Sequence, residues 1–164
     1  QLKIKKDGEN GIEKYKKDAV FKIFVKQDDD VLNSVRLQLS DDQRLDFLYE
    51  ADYGSEEFER LREEQQLEIE FDDFPNVIRK LMTTIIQQGD DTLNEGDYKI
   101  AFKDTDSDGI CLIISQKIDI CTVEIFRLEF IQITGERVQK IAQSRFDDIS
   151  KKLKDCFPCF SECR

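Results

Sequence analysis

Two kinds of hydrophobic periodicity meet in the segment Leu67-Glu68-Ile69-Glu70-Phe71-Asp72-Asp73-Phe74-Pro75. Up to Phe71, apolar and acidic residues alternate, which predicts a half-buried strand over 67–71. Beyond Pro75, which suits a first helical turn, apolar residues recur at helical spacing and predict an amphipathic helix docked on a sheet. The apolar positions of that helix are Val77, Ile78, Leu81, Met82, Ile85 and Ile86.

Toward the N-terminus, the pattern predicts a pair of antiparallel strands. Residues 18–27 are apolar on nearly both faces, and residues 35–39 alternate between apolar and polar, as in a half-buried strand. The run Asp28-Asp29-Asp30 turns the chain between them. An apolar stretch at 47–49 follows, and Ser55 is expected to cap a short helix over 55–62.

Toward the C-terminus, the pattern predicts three more strands and a helix. Strands at 98–102 and 110–114 flank an acidic turn, and a third strand covers 122–133 after a connection over 115–121. The final helix, 136–156, has coiled-coil-like spacing from Phe146 onward.

Strands, helix, strands and helix in this order predict an α+β domain with an antiparallel β-sandwich or barrel-like sheet, an inserted helical segment and a C-terminal helix. The predicted organisation along the chain is a flexible leader over 1–16, a globular domain over 17–155 and a cysteine-containing tail over 156–164.

Composition excludes several classes of function. The 164 residues carry a net charge of −11 and no histidine, so catalytic Ser/His or Cys/His pairs and His-bearing zinc sites cannot be built. The negative charge disfavours nucleic acid and anionic lipid as partners, and no apolar run is long enough to span a membrane. Five cysteines, an odd number, favour a reduced cytosolic protein.

Two motifs suggest metal chemistry. The run Asp104-x-Asp106-x-Asp108-Gly109 matches the first half of a calcium loop, but Ser115 stands where a bidentate Glu is needed, so a solvated hairpin is favoured over a calcium-responsive module. Three thiols near the end of the chain lack a fourth ligand and are interpreted as incidental: Cys156, Cys159 and Cys163. We therefore predict no metal, no cofactor, no catalytic residue and no enzymatic activity.

One feature is unexpected for a connection between strands. The segment 118–124 carries Ile118, Ile120 and Val123 where polar residues are usual. Either these side chains extend the strands and fill the core, or an apolar side chain at a hairpin tip is exposed and meets a partner. The pattern alone leaves both interpretations open.

The chain resembles the N-terminal head domain of a known family, the spindle assembly abnormal protein six family. Members of this family self-assemble into the centriolar cartwheel. The resemblance covers most of residues 17–155. It rests on three segments: Asp46-Phe47-Leu48-Tyr49, the segment 67–75 quoted above, and Ile125-Phe126-Arg127-Leu128-Glu129-Phe130 running to Gly135-Glu136.

The resemblance implies a fold shared with scaffold proteins of DNA end joining. It also implies that two heads pair when a hydrophobic hairpin residue inserts into the partner head. The matching position is Ile120, with Cys121 and Ile118 beside it. A long coiled coil would follow the last helix, and repeated pairing would build a ninefold ring that templates the centriole.

The implied partners are further copies of the chain and other centriolar proteins, and the implied location is the cytoplasm and cytoskeleton, at the centriole or basal body. The alternative function is an adaptor head of the same superfamily, related to end joining or to another cytoskeletal site. Such a head would bind other proteins without forming a ring.

Overall fold

The computed structural model describes residues 2–4, 17–41, 47–88, 98–105 and 109–156. Within these ranges the chain forms seven strands, three α-helices and one short 3-10 helix. The strands are β1 (Leu2–Ile4), β2 (Lys17–Asp28), β3 (Val31–Ser40), β4 (Leu48–Tyr53), β5 (Tyr98–Asp104), β6 (Gly109–Ile118) and β7 (Cys121–Gln132). The helices are α1 (Ser55–Gln65), the 3-10 turn Phe71–Asp73, α2 (Phe74–Gln88) and α3 (Glu136–Cys156).

The strands form one antiparallel sheet in the order β1-β2-β3-β4-β7-β6-β5. Two groups of strands, β2–β3–β4 and β5–β6–β7, meet where β4 pairs with β7 at only two positions, Tyr49 with Gln132 and Glu50 with Ile131. Helices α1 and α2 are inserted between the two groups in the sequence. The predicted α+β class, with an antiparallel sheet, a helical insertion and a C-terminal helix, is confirmed.

An aromatic cluster forms the centre of the core. The ring of Phe74, at the start of α2, lies 5.0 Å from Phe58 of α1, 5.3 Å from Tyr53 of β4 and 6.3 Å from Phe126 of β7. Phe74 and Phe58 are fully buried. A single side chain therefore contacts both strand groups and both inserted helices, which compensates for the short β4–β7 ladder. Around this cluster pack the apolar faces of the strands, including Val35, Leu37, Leu39, Leu112, Ile114, Leu128 and Phe130.

The β2–β3 hairpin forms as the sequence predicts. Asp29 and Asp30 connect the strands with φ of 50° and 64°, the backbone of a type I′ turn, which acidic and amide residues tolerate. The side-chain amide of Asn33 donates a hydrogen bond to the carboxylate of Asp28 beside this turn. The hairpin therefore ends in a tight connection that fixes the register of β2 on β3.

The predicted strand over 67–71 is wrong. The chain leaves α1 through Gln66, whose φ is 54°, and residues 67–70 then form no regular secondary structure and pair with no described strand. Arg62 of α1 donates from Nη1 to both carboxylate oxygens of Glu70, each at 3.2 Å, and holds this segment beside the helix. The alternation of half-buried Leu67 and Ile69 with exposed glutamates thus reflects one-sided burial, which also occurs outside a ladder.

The cap of α1 also differs from expectation. Gly54, one residue before Ser55, is the N-cap, and its N–H donates to Oε2 of Glu57 at 3.0 Å. A carboxylate in the first turn satisfies a backbone donor and interacts well with the positive end of the helix. Ser55 is the first helical residue instead.

The chain forms two compact units, residues 1–132 and residues 133–164. The segment expected to be a leader contributes the strand β1, and residues 5–16 lie outside the described ranges. The second unit contains α3, preceded by Gly135 with a φ of 69°, in the left-handed region that favours glycine. On α3, Phe146, Ile149 and Leu153 repeat at intervals of three and four and are exposed.

Replacing Phe74 tests the role of the aromatic cluster. Phe74→Ala should lower the free energy of unfolding by about 3–5 kcal/mol, because a fully buried ring is removed from contact with several neighbours. The matched control is Ile86→Ala on the same helix, where the side chain is 45% exposed and a loss below about 1 kcal/mol is expected. Urea unfolding followed by circular dichroism measures both, and equal losses would contradict the assignment.

Candidate interaction site at the β6–β7 hairpin

The tip of the β6–β7 hairpin is a two-residue turn. The ladder runs from Gly109–Ile131 to Ile118–Cys121, so only Asp119 and Ile120 connect the strands. The predicted longer connection over 115–121 is therefore wrong, because β6 continues to Ile118. Asp119 has a φ of 48°, a conformation that an Asp side chain tolerates and that tight hairpins need.

Ile120 is fully exposed at this tip. It lies beyond the last ladder pair, and its exposure decides between the two interpretations of this segment, core filling and an exposed hairpin tip. A side chain with no protection from solvent does not fill the core, and neither do Ile118 and Val123, which are 46% and 44% exposed. Ile118 and Val123 do extend β6 and β7, but the interpretation that the three residues fill the core is wrong.

Apolar side chains beside Ile120 share one face of the hairpin. Ile118 pairs with Cys121, and two positions along the ladder Gln116 pairs with Val123. Since side chains alternate along a strand, Ile118, Cys121 and Val123 lie on the same face. We call these three residues together with Ile120 the tip surface. The structure places the three sequence-predicted site residues beside Val123, the other apolar residue that the sequence pattern marks in this segment.

A β-bulge changes the direction of side chains below the tip. The register shifts between Ile114 and Ser115 of β6, which leaves Ile125 of β7 as an extra residue. Glu124 and Arg127 consequently reach each other: Arg127 donates from Nε to Oε1 of Glu124 at 2.9 Å and from Nη2 to Oε2 at 3.2 Å. This hydrogen bond and the carboxylate charge raise the pKa of Arg127, so the guanidinium stays charged.

Helix α1 supports β7 through one glutamine. Gln65 donates from Nε2 to the carbonyl oxygen of Arg127 at 2.6 Å and accepts at Oε1 from the Arg127 N–H at 2.8 Å. The side-chain amide thus makes the two bonds that a neighbouring strand would make, at a point where β4 no longer pairs with β7. Sequence reasoning missed Gln65, because it stands in a polar run that resembles an ordinary solvated face.

An open cavity of about 310 Å³ lies beside this support. It is lined by Glu64, Gln65, Glu124, Ile125 and Arg127. Its walls are mainly polar, in contrast to the apolar tip surface. The hairpin therefore presents two chemically different regions within a few residues of each other.

The two described free cysteines differ in environment. Cys121 is exposed on the tip surface, and its Sγ lies 3.4 Å from the carbonyl oxygen of Ile118 as a weak donor. Cys111, on β6, is buried, and desolvation raises the pKa of its thiol. Only the thiolate reacts readily, so reactivity should separate the two.

The two metal-like motifs of the sequence lie partly outside the described residues. Asp106 and Asp108 of the calcium-like run, and Cys159 and Cys163 of the tail, lie outside the described residues. In the part of the chain that the structure describes, no three His, Cys, Asp or Glu side chains are grouped to hold a metal ion. Over the same residues, no helix is both long and apolar enough to cross a membrane.

A profile of the family described as centriolar protein SAS N-terminal domain matches residues 1–130. The chain belongs to this family. No curated protein matches the chain.

Solved structures of this family have the same fold. An N-terminal fragment of Leishmania SAS-6 containing parts of its coiled-coil domain is 15% identical, with a TM-score of 0.76, and the match covers 94% of this chain and 84% of that one. The N-terminal coiled-coil dimer of C. elegans SAS-6 is 19% identical, with a TM-score of 0.61 and coverage of 87% and 82%. A stabilised dimer of the C. elegans protein is 18% identical, with a TM-score of 0.59 and coverage of 74% and 83%.

Removing the Gln65 amide tests the support of β7. Gln65→Ala should lower the free energy of unfolding by roughly 1 kcal/mol, since two partly exposed hydrogen bonds to the Arg127 backbone are lost. Glu64→Ala, at the neighbouring exposed position, is the control and should change stability by less than about 0.5 kcal/mol. Chemical denaturation compares them, and an unaffected Gln65→Ala protein would show that these bonds do not stabilise the strand.

Alkylation tests the assignment of the thiols. In the folded protein at mildly alkaline pH, iodoacetamide should modify Cys121 at least about tenfold faster than Cys111, because Cys111 is buried and its pKa is raised. Peptide mapping by mass spectrometry after timed quenching gives both rates. The difference should disappear in denaturant, and equal rates in the folded protein would contradict the described packing of β6.

Proposed function

We propose that this chain is a structural self-assembly domain of the centriole or basal body, in which two heads associate through the tip surface. The exposed Ile120 carries the proposal, because a fully exposed large aliphatic side chain on a tight turn is suited to insertion into a partner. Membership of the centriolar SAS N-terminal family supports it. The C. elegans structures described as dimers support pairing between copies.

The geometry of the tip favours a preorganised but weak contact. A two-residue turn on a ten-pair ladder fixes the backbone before binding, which lowers the ordering cost of association. Burying one Ile side chain stabilises by roughly 1.5–3 kcal/mol, or about ten- to a hundredfold in Kd. A contact built around it is on the order of micromolar or weaker, as expected for small transient interfaces.

A second contact in the proposal involves α3. The exposed Phe146, Ile149 and Leu153 form a coiled-coil seam over about one heptad, too short for strong pairing by itself. Continued as a coiled coil, this seam would join chains in pairs. Two inclined twofold contacts generate a closed ring, and we propose the ninefold cartwheel ring, in the cytoskeleton, as that assembly.

Charge substitution at the tip tests the proposal. Ile120→Glu should weaken self-association at least about tenfold, because a carboxylate cannot enter an apolar pocket without a large desolvation cost. The matched control is Val31→Glu at the β2–β3 turn, where an exposed apolar side chain receives the same charge. Sedimentation equilibrium from micromolar to near-millimolar concentration measures both proteins against the parent.

Three outcomes separate the possibilities. A dimerising parent, an unchanged Val31→Glu protein and a folded monomeric Ile120→Glu protein support the proposal. Association that survives Ile120→Glu but is lost in Phe146→Glu assigns pairing to α3 and overturns the role of the tip. If all variants and the parent stay monomeric, the adaptor function, binding other proteins without a ring, becomes the better account.

A further inference from the structure

Strand β2 has a long edge without a neighbouring strand. β3 pairs with β2 from Val20 to Asp28, and on the other side β1 pairs only with Lys17 to Ala19. From Val20 to Asp28, no other strand of the described residues pairs with this edge; helix α2 also contacts β2. Such an edge presents a row of backbone donors and acceptors to another extended chain.

The side chains along this edge are unusually apolar. Ile23 and Val25 belong to the core-facing side of β2, and Lys22, Phe24 and Lys26 belong to the opposite side. Phe24 is 48% exposed and Val25 is 46% exposed, so the centre of the edge offers apolar surface on both faces. Exposed apolar edges favour strand addition.

Two lysines on this edge, Lys22 and Lys26, favour a negatively charged ligand. Across the β2–β3 ladder Lys22 faces Gln38 and Lys26 faces Ser34, both neutral, and neither lysine forms an ion pair with a described residue. Arg36, the residue opposite Phe24, is already engaged by Asp52 at 2.6 Å. The positive charge of the lysines is therefore available to a ligand, on a protein whose net charge is −11.

We propose that the edge of β2 binds an extended peptide segment of a partner protein, with acidic residues four positions apart and three apolar residues between them. The backbone of the peptide adds a strand to the sheet. Its acidic residues face Lys22 and Lys26, and its apolar residues pack on Ile23, Phe24 and Val25. Backbone hydrogen bonds supply affinity in this mode, and alternate side chains supply specificity.

A second copy of the chain fits this edge less well. Two antiparallel β2 edges centred on Phe24 would place Lys22 of each chain opposite Lys26 of the other. Like charges directly opposite each other destabilise a strand pair. The lysines thus disfavour pairing of identical edges and favour an acidic strand.

The opposite end of the sheet supplies a matched control. β5 also ends the sheet and carries two exposed lysines four positions apart, Lys99 and Lys103. Between them lies half-buried Ala101, where β2 has the larger and more exposed Phe24. Charge and spacing are therefore the same on both edges, whereas the apolar surface differs and β1 also lies beside β5.

The test uses two fluorescein-labelled peptides with blocked ends. The acidic probe is Thr-Glu-Val-Phe-Val-Glu-Thr, which reads the same in both directions and so suits parallel or antiparallel addition. The basic probe replaces each Glu with Lys. Fluorescence anisotropy with the 1–164 chain at low salt should show binding of the acidic probe only, weakened as salt rises.

Charge reversal gives the decisive comparison. The double variant Lys22→Glu/Lys26→Glu should bind the acidic probe about tenfold more weakly than the parent and should gain binding of the basic probe. Lys99→Glu/Lys103→Glu should leave the binding of both probes unchanged. Circular dichroism and thermal midpoints check that each variant is folded.

Several results would overturn this inference. They are equal binding of both probes, no binding of either, or a loss confined to the β5 variant. The Ile120→Glu protein is expected to bind the acidic probe as the parent does, because the tip surface and the β2 edge are on different strands. Failure of strand addition would therefore leave the self-assembly proposal intact, and the reverse also holds.

Discussion

The packing of Phe74 against Tyr53, Phe58 and Phe126 is the interaction on which the rest of this fold depends. β4 and β7 share only two paired positions, which is too short a ladder to hold two groups of strands together. The inserted helices supply the missing contact. Because the ring of Phe74 touches both groups, the sheet, α1 and α2 form one core.

The same insertion determines how β7 carries its hairpin. α1 ends where β7 has lost its strand neighbour, and Gln65 replaces that neighbour with two hydrogen bonds to Arg127. Below the tip, the bulge at Ile125 brings Glu124 and Arg127 together. The hairpin therefore projects an apolar end from a backbone supported on both sides. A preorganised, small apolar surface is suited to a reversible contact whose strength comes from repetition.

Sequence reasoning predicted the strongly periodic parts of the fold. β2, β3, α2 and α3 follow from alternation or helical spacing, with turn residues between them, and the structure confirms each within a few residues. The strand predicted over 67–71 is wrong because alternation shows only which side chains are buried. A strand also needs a partner strand, and the position of that partner depends on distant parts of the chain. The two-residue turn at Asp119 and Ile120 was not predicted for a related reason. The register of β6 on β7 decides where the strands end.

The candidate site was predictable in part. Apolar residues at 118, 120 and 123 stood out in the sequence, but only the structure shows that all three are exposed and that Ile118 and Val123 share a face with Cys121. Nothing local indicated Gln65, because its bonds reach a residue 62 positions away. Long-range contacts of this kind are what a pattern along one chain does not contain.

In the proposed self-assembly, the tip surface makes the contact between two copies of the chain. The most direct measurement is a series of amide NMR spectra of the 1–164 chain from micromolar to near-millimolar concentration. Pairing through the tip surface should give concentration-dependent shifts at Asp119, Ile120 and Cys121 and at a second group of residues that receives the tip. These shifts should be lost in Ile120→Glu. Shifts confined to α3, or a tip that does not respond to concentration, would contradict this pairing.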